Sequence, residues 1–285
     1  MGSELKLFVR QFKKNRLAIF AFFVAAVLMG LALFGPILSP YDPLDTNLDA
    51  RLVPGFWSDN TENILGTDGL GRDILSRLLH GARISLQVGY TVILITAVVG
   101  TFLGIVSGYF GGAVDLIIMR MVDIILAFPP LLLALVIAAS LGTGIEKAML
   151  AIAIIYIPGL ARIVRGSVLT VKELPYVESS QAMGGSHFWI MFRHILPNIV
   201  TPMVVYLTLL LGDAILYTAA LGFLGVGIDP SMPEWGAMLS GGKDYLLMGQ
   251  WWITVFPGIM IFLAVLSFNL LGDGLREAMD AKLRV

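Results

Sequence analysis

Six stretches of this chain are too long and too apolar to be loops on a water-soluble protein: Leu17 to Leu38, Ser85 to Val106, Val114 to Ala139, Ala148 to Val168, Ile199 to Phe223 and Trp251 to Leu271. Each reaches the roughly 20 residues that an α-helix needs to cross the hydrocarbon core of a bilayer. Lipid offers no partner to a free amide or carbonyl, so these runs must be helical to satisfy their own backbone. The expected fold class is an all-α membrane protein with six transmembrane helices. The whole chain carries the same bias, with 57% hydrophobic and only 14% charged residues among 285 and a mean hydropathy of +0.86; soluble domains carry about 25% charged residues.

The remaining charges set orientation and exclude several functions. Lys6, Arg10, Lys13, Lys14 and Arg16 precede the first run, and such a basic cluster stays on the cytoplasmic side. That run is too long for a signal-peptide core and lacks a small-residue cleavage site, so it reads as a retained helix. Six crossings then place both termini in the cytoplasm, residues 39–84 outside and the loop 172–198 inside. Arg162, Arg165, Lys172 and Arg193 flank or occupy that loop, Arg276, Lys282 and Arg284 lie in the tail, and Asp42, Asp45, Asp49, Asp59, Glu62, Asp68 and Asp73 populate the outer segment. A net charge of −1 with basic residues concentrated at particular segment ends, and four arginines also in the outer segment, leaves no nucleic-acid reading. The absence of cysteine excludes disulfides, thiol catalysis and thiolate metal sites. His80, His187 and His194 have no metal-ligand spacing and fall on different sides of the membrane, so no metal or cofactor is expected on this chain.

The expected organisation is a cytoplasmic N-terminus with the first helix (1–38), an extracytoplasmic segment (39–84), a core of five helices (85–272) and a cytoplasmic tail (273–285). Within the outer segment, Ile74, Leu75, Leu78 and Leu79 share one face of the run from Arg72 to Arg83, which predicts an interfacial helix. Pro230, Pro233, Glu234 and Trp235 suit an interfacial re-entrant turn. Arg120 and Asp123 are spaced to pair on one helix whose start Asp115 caps.

The loop from Lys172 to Asn198, KELPYVESSQAMGGSHFWIMFRHILPN, is a polar segment inside an otherwise apolar chain. Val177 to Met183 predicts a short helix, and Gly184 and Gly185 permit a sharp turn. A second short helix carries Phe188, Trp189, Met191 and Phe192 as an exposed apolar ridge, and Pro197 ends it before the next span. By composition alone this ridge suits a groove on a partner protein and a lipid surface equally.

Glu178, Gly184 six residues on, and Leu196-Pro197 resemble the EAA loop of binding-protein-dependent ABC importer permeases, with Ser179, Ser180 and His194 departing from the usual residues there. The resemblance extends through LGTDGLGRDILSRLLHGARISL (65–86), VDLIIMRMVDIILAFPPLLLAL (114–135), ALGFLGVGIDPSMPEWGAML (220–239) and FNLLGDGLR (268–276), which are similar to the second permease of dipeptide, oligopeptide and nickel importers. It implies a type I importer permease fold with the first span outside the core. It also implies a complex with a homologous second permease, one or two kinds of ABC ATPase and an extracytoplasmic peptide-binding protein. Glu178, Ala182, Gly184, Phe188, Trp189, Phe192, Leu196 and Pro197 would then couple this chain to the ATPase. ATP and magnesium would sit on that partner, because the glycine pattern of GTDGLGRD alone is weak evidence for a phosphate-binding loop and Gly242-Lys243 is followed by Asp244 without the required spacing. Short peptides are the expected cargo, with nickel chelates or glutathione as alternatives. The chain is expected to be non-catalytic and to lie in a bacterial or archaeal plasma membrane.

One span carries an ionisable residue at mid-depth. Asp213, in LTLLLGDAILYTAAL, is costly in lipid unless it faces water, a ligand or a partner, and Tyr217 four residues on shares its helical face. The two would line a translocation path or bond to the second permease. An autonomous ion-coupled carrier, the competing class, would show internal repeats and broken helices around a midplane ion site. This chain has one isolated membrane carboxylate and an asymmetric loop instead.

Overall fold

The structure, a computed structural model, describes residues 9–58 and 62–280. Lys6, Asp59, Lys282 and Arg284 lie outside the described residues. The helices are α1 (Arg16–Leu38), α2 (Ile74–Phe110), α3 (Gly112–Leu126), α4 (Pro130–Leu141), α5 (Ile145–Val171), α6 (Pro175–Ala182), α7 (His187–Trp189), α8 (Leu196–Phe223), α9 (Trp235–Leu246) and α10 (Trp252–Asp280), with a π-helical turn Ile190–Ile195 joining α7 to α8. Among the described residues there is no β-strand, only an isolated bridge between Thr67 and Asp73.

Five helices are long and apolar enough to cross a membrane: α1, α2, α5, α10 and the continuous stretch His187–Phe223. The sixth expected crossing, Val114 to Ala139, is broken. Its two halves, α3 and α4, meet at 94°. The break falls at Pro129-Pro130, where Pro129 is extended and Pro130 opens α4. A proline disfavours helical geometry in the residue before it, so α3 cannot run through the pair.

The core is organised by the pairing of α2 with α5. Gly100, Gly104 and Gly108 recur every four residues on α2 and face Leu160, Val164 and Val168 of α5. A Cβ at Gly104 would stand 2.6 Å from the carbonyl oxygen of Ala161, so only glycine lets the backbones approach this closely. Small residues serve this purpose between membrane helices, where no hydrophobic drive separates a helix neighbour from lipid. α1 packs on α2 and α10 through Ala18, Ala21, Ala25 and Leu28, leaving Phe20, Phe22 and Phe23 exposed on its other side.

The two ends of the bundle differ. At one, here the loop end, Asn15 donates to Glu277 at 2.8 Å and Tyr109 bonds His187 at 2.9 Å, so the start of α1, the end of α2, the α6–α7 loop and the end of α10 lie together. The opposite end carries the segment between α1 and α2, the α8–α9 connection and the start of α10. There Trp252 donates its indole N–H to the Thr67 carbonyl at 3.1 Å, and Trp57 packs on Trp251, Trp252 and Phe256.

Two expectations for this opposite end are corrected. Residues 74–83 are not a separate interfacial helix but the first turns of α2, a single helix of 37 residues. Its Arg77 is buried because the carbonyls of Pro43, Ser231 and Met232 accept from the guanidinium. Asp73 caps the same helix by accepting from the backbone N–H of Ser76 at 2.8 Å. Trp235 and Glu234 do not sit at a lipid interface either. Both are buried, with Trp235 donating to the Leu78 carbonyl and Glu234 accepting from the Ser85 hydroxyl and the backbone N–H of Ala237 to start α9.

Candidate functional site

The loop end presents a built surface. Pro175 opens α6, where its missing N–H costs no hydrogen bond. Val177 and Ser180 turn inward while Glu178 and Ala182 face out. Gly184 then adopts φ +81°, a conformation open to glycine at no steric cost, and Gly185 donates back to the Ser180 carbonyl at 2.9 Å. Ser186 caps α7 by accepting from the backbone N–H of Trp189. The reversal is therefore fixed by its own hydrogen bonds.

Beneath it, Val177, Ile190, Ile195 and Ile199 are fully buried against Leu160, Val164 and Val168 of α5 and Ile105 of α2. Above it stand Met183, Phe188, Trp189 and Phe192, which are 81%, 67%, 55% and 45% exposed. Phe188 and Phe192 stack with ring centroids 4.4 Å apart, and the Arg193 guanidinium lies over the Trp189 ring at 5.9 Å. The result is a rigid apolar ridge with a buried footing.

Three residues of the loop, one of them from the expected ridge, behave differently. Met191 is buried, because the π turn widens the helix at this point and rotates it inward. Pro197 does not end the second helix. The N–H of Leu196 reaches the carbonyl of Met191, five residues back, and this wider turn accommodates the proline, so the chain runs on into α8 without interruption. Leu196 lines an apolar cleft of about 420 Å³ with Val98, Phe102, Met191 and Met203, so it supports the ridge from behind.

At the loop end, α3 is tied to α2 and α5 by ion pairs and a hydroxyl bond. Asp115 of α3 accepts from Arg165 of α5 and from Ser107 of α2, and Asp123 accepts from Arg162 at 2.6 Å. Asp115 does not cap α3, whose N-cap is Gly111 without a side-chain bond. The expected Arg120–Asp123 pair is stretched to 4.0 Å and largely exposed, so the inter-helix partner Arg162 takes over.

The mid-membrane carboxylate has company that the sequence reading missed. Asp213 and Tyr217 are half-buried on α8, and the Tyr217 ring meets Tyr156 of α5 edge-on with centroids 5.7 Å apart. The Tyr206 hydroxyl lies against Gly159 of α5. Tyr206 and Tyr217 share α8 with Asp213, and Tyr156 of α5 meets Tyr217. Tyr206 precedes Asp213 by seven residues, two helical turns, so its place on this face was legible from spacing; Tyr156 sits on another helix and was not. Among the described residues, no three or more His, Asp, Glu or Cys side chains converge as metal ligands.

A helical bundle with apolar spans, one of them broken, glycine-packed core helices and an outward apolar ridge at one end defines a polytopic membrane protein. Comparison with known proteins names the class more closely. Residues 100–285 match the family described as binding-protein-dependent transport system inner membrane component, and residues 3–54 match the N-terminal transmembrane domain of oligopeptide transport permease C. The chain belongs to this family of inner-membrane permeases. It is 42% identical to the dipeptide transport system permease protein DppC of Haemophilus influenzae over 99% of this chain and 96% of that protein. It is 43% identical to the di/tripeptide permease protein DppC of Pseudomonas aeruginosa, over 99% and 93%, and 43% identical to the glutathione permease protein GsiD of Pectobacterium atrosepticum, over 97% and 91%. The fold is shared with a chain of the inward-facing MetNI methionine ABC transporter at a TM-score of 0.51 and 20% identity, covering 70% of this chain and 96% of that one. The chain is thus the permease component of an ABC importer.

Proposed function

We propose that this permease forms half of a translocation pathway for short peptides, pairing with a homologous second permease and docking an ABC ATPase through the α6–α7 ridge. The observation that carries the docking is the ridge itself: four large apolar side chains held in water-facing positions on a footing of fully buried isoleucines and valine. Exposed aromatic clusters of this kind mark interaction sites. ATP and magnesium belong to the docked partner, and an extracytoplasmic binding protein delivers cargo to the opposite end. In this reading the loop end and both termini are cytoplasmic, as the basic residues before α1 favour. ATPase closure moves α6 and α7, and the movement reaches the pathway through α8, where Asp213 and Tyr217 line it.

Peptide cargo is favoured by the relatives named for dipeptide and di/tripeptide transport. Glutathione, itself a modified tripeptide, is the second reading, favoured by the equally similar glutathione permease. The test is purification of the chain from its native membrane with quantification of bound proteins, comparing wild type with Trp189→Asp. Stoichiometric recovery of a second permease and an ATPase, with selective loss of the ATPase in the variant, supports the reading. Recovery of the wild-type chain alone sinks it.

A further inference from the structure

The polar cluster around Asp213 is unusual in being unsatisfied. Asp213 makes no hydrogen bond or ion pair among the described residues, and Tyr206 and Tyr217 donate to nothing there. The Tyr156 hydroxyl is buried without any partner. Three neighbouring hydroxyls on α8 and α10 are satisfied locally, while the Thr96 hydroxyl of α2 is, like that of Tyr156, buried without a partner. Thr208 bonds the Val204 carbonyl, Thr218 the Ala214 carbonyl and Ser267 the Ala264 carbonyl. Asp213 differs from these hydroxyls in being ionisable, and inside a membrane such a group is expensive unless something meets it.

The chemistry of the cluster selects what that is. A carboxylate accepts hydrogen bonds, aromatic faces attract cations, and phenol hydroxyls accept as well as donate. Together they fit a primary ammonium, which brings three donors and one positive charge. Another anion would meet repulsion, and an apolar group would leave Asp213 unpaired. We propose that Asp213, with Tyr156, Tyr206 and Tyr217, forms a transient binding station for the free amino terminus of a peptide in transit. This deepens the importer reading and rests on it.

The amino terminus is the cation that every unmodified peptide carries whatever its side chains, so one fixed carboxylate serves many sequences. A single carboxylate, half-exposed and without a second acid, also holds its guest weakly. Passage needs that balance, since a site must bind well enough to admit cargo and loosely enough to release it.

The chain contains no cysteine, so Leu216→Cys, at a position 48% exposed and three residues from Asp213, introduces its sole thiol. In the assembled complex, built with cysteine-free partners in lipid nanodiscs, a cationic and an anionic methanethiosulfonate would be applied in each nucleotide state. The expected result is a cationic-to-anionic rate ratio about thirtyfold above that of a free thiol in solution, since a close charge pair in water attracts one reagent and repels the other by a factor of about five each. Asp213→Asn removes the preference and Asp213→Glu keeps it. Dialanine slows the reaction more than N-acetyl-dialanine does, and Asp213→Asn abolishes that difference. Equal slowing by the two peptides, with the thiol reactive, overturns the ammonium assignment while leaving the pathway in place. No reaction with either reagent in any state overturns the pathway placement of this face as well, and assigns Asp213 to a buried contact with the second permease.

Discussion

Arg165 holds Asp115 through two parallel hydrogen bonds, Nε to Oδ1 and Nη2 to Oδ2, both 2.5 Å. The Ser107 hydroxyl adds a third bond, so one carboxylate joins α2, α3 and α5 at the loop end. A planar guanidinium matches a carboxylate in this two-pronged way and a lysine ammonium does not. Arg165→Lys is therefore expected to lower the stability of the purified complex by about 1 kcal/mol, and Asp115→Ala by about 2 kcal/mol. A double-mutant cycle on thermal unfolding in detergent checks it, and a coupling energy near zero would show that the pair is ornamental.

The contact of Gly104 with Ala161 predicts a steep steric series. Gly104→Ala is expected to cost about 1–3 kcal/mol as α2 and α5 are forced apart, and Gly104→Leu to prevent accumulation of folded protein. Gly166→Ala on α5 is the control, because a Cβ there meets nothing within 4 Å. Membrane-fraction yield and detergent melting report both. Equal tolerance of the two alanine variants would count against glycine-mediated packing.

The ridge and its footing should respond differently to charge. Phe188→Asp alters an exposed side chain and is expected to leave folding intact while reducing ATPase association at least tenfold. Ile190→Asp places an unpaired carboxylate in a fully buried position and is expected to abolish folding. Size-exclusion behaviour of the isolated permease, followed by titration with the ATPase, separates the two outcomes.

Glu234 gives a pH signature. Its complete burial raises its pKa above the ordinary carboxylate value, against the opposing bonds from the Gly236 and Ala237 amides and the Ser85 hydroxyl. The folded state therefore binds the proton more tightly than the unfolded chain does. Its contribution to stability is fully present below the ordinary glutamate pKa and is lost as pH rises through the folded value. Melting temperature should fall over that window, and Glu234→Gln, which retains an acceptor for the α9 cap, should flatten the slope. An unchanged slope in the variant would assign the pH dependence elsewhere.

The spans of this fold were legible because twenty apolar residues in a row have one solution in lipid, whatever their neighbours. What escaped the sequence depends on contacts between distant segments. The run from Arg72 to Arg83 reads as an interfacial helix until the carbonyls of Pro43, Ser231 and Met232 take up Arg77 and let α2 begin early. Trp235 reads as an interface anchor until Leu78 supplies its acceptor. Within the loop 172–198, the turn at Gly184 and the exposed Phe188, Trp189 and Phe192 were readable from residue type alone. Met191 was placed on the wrong face because a π turn shifts the helical phase, and nothing in the local pattern announces that shift. That Asp213 and Tyr217 share a helical face was readable from spacing, whereas the place of Tyr156 needed the packing of α5 on α8.

The unbroken course from α7 through the π turn into α8 makes the docking ridge and the membrane carboxylate parts of one lever. Ile190 and Asp213 are separated by about 35 Å at the rise of an α-helix. Over that length a tilt of about 5° displaces the far end by about 3 Å, roughly the width of an atom. Pro202, whose missing N–H removes one rung inside α8, is the place where such a lever would flex first. For the proposed ATPase, such leverage converts a grip on four side chains at the loop end into a reshaping of the middle of the bundle.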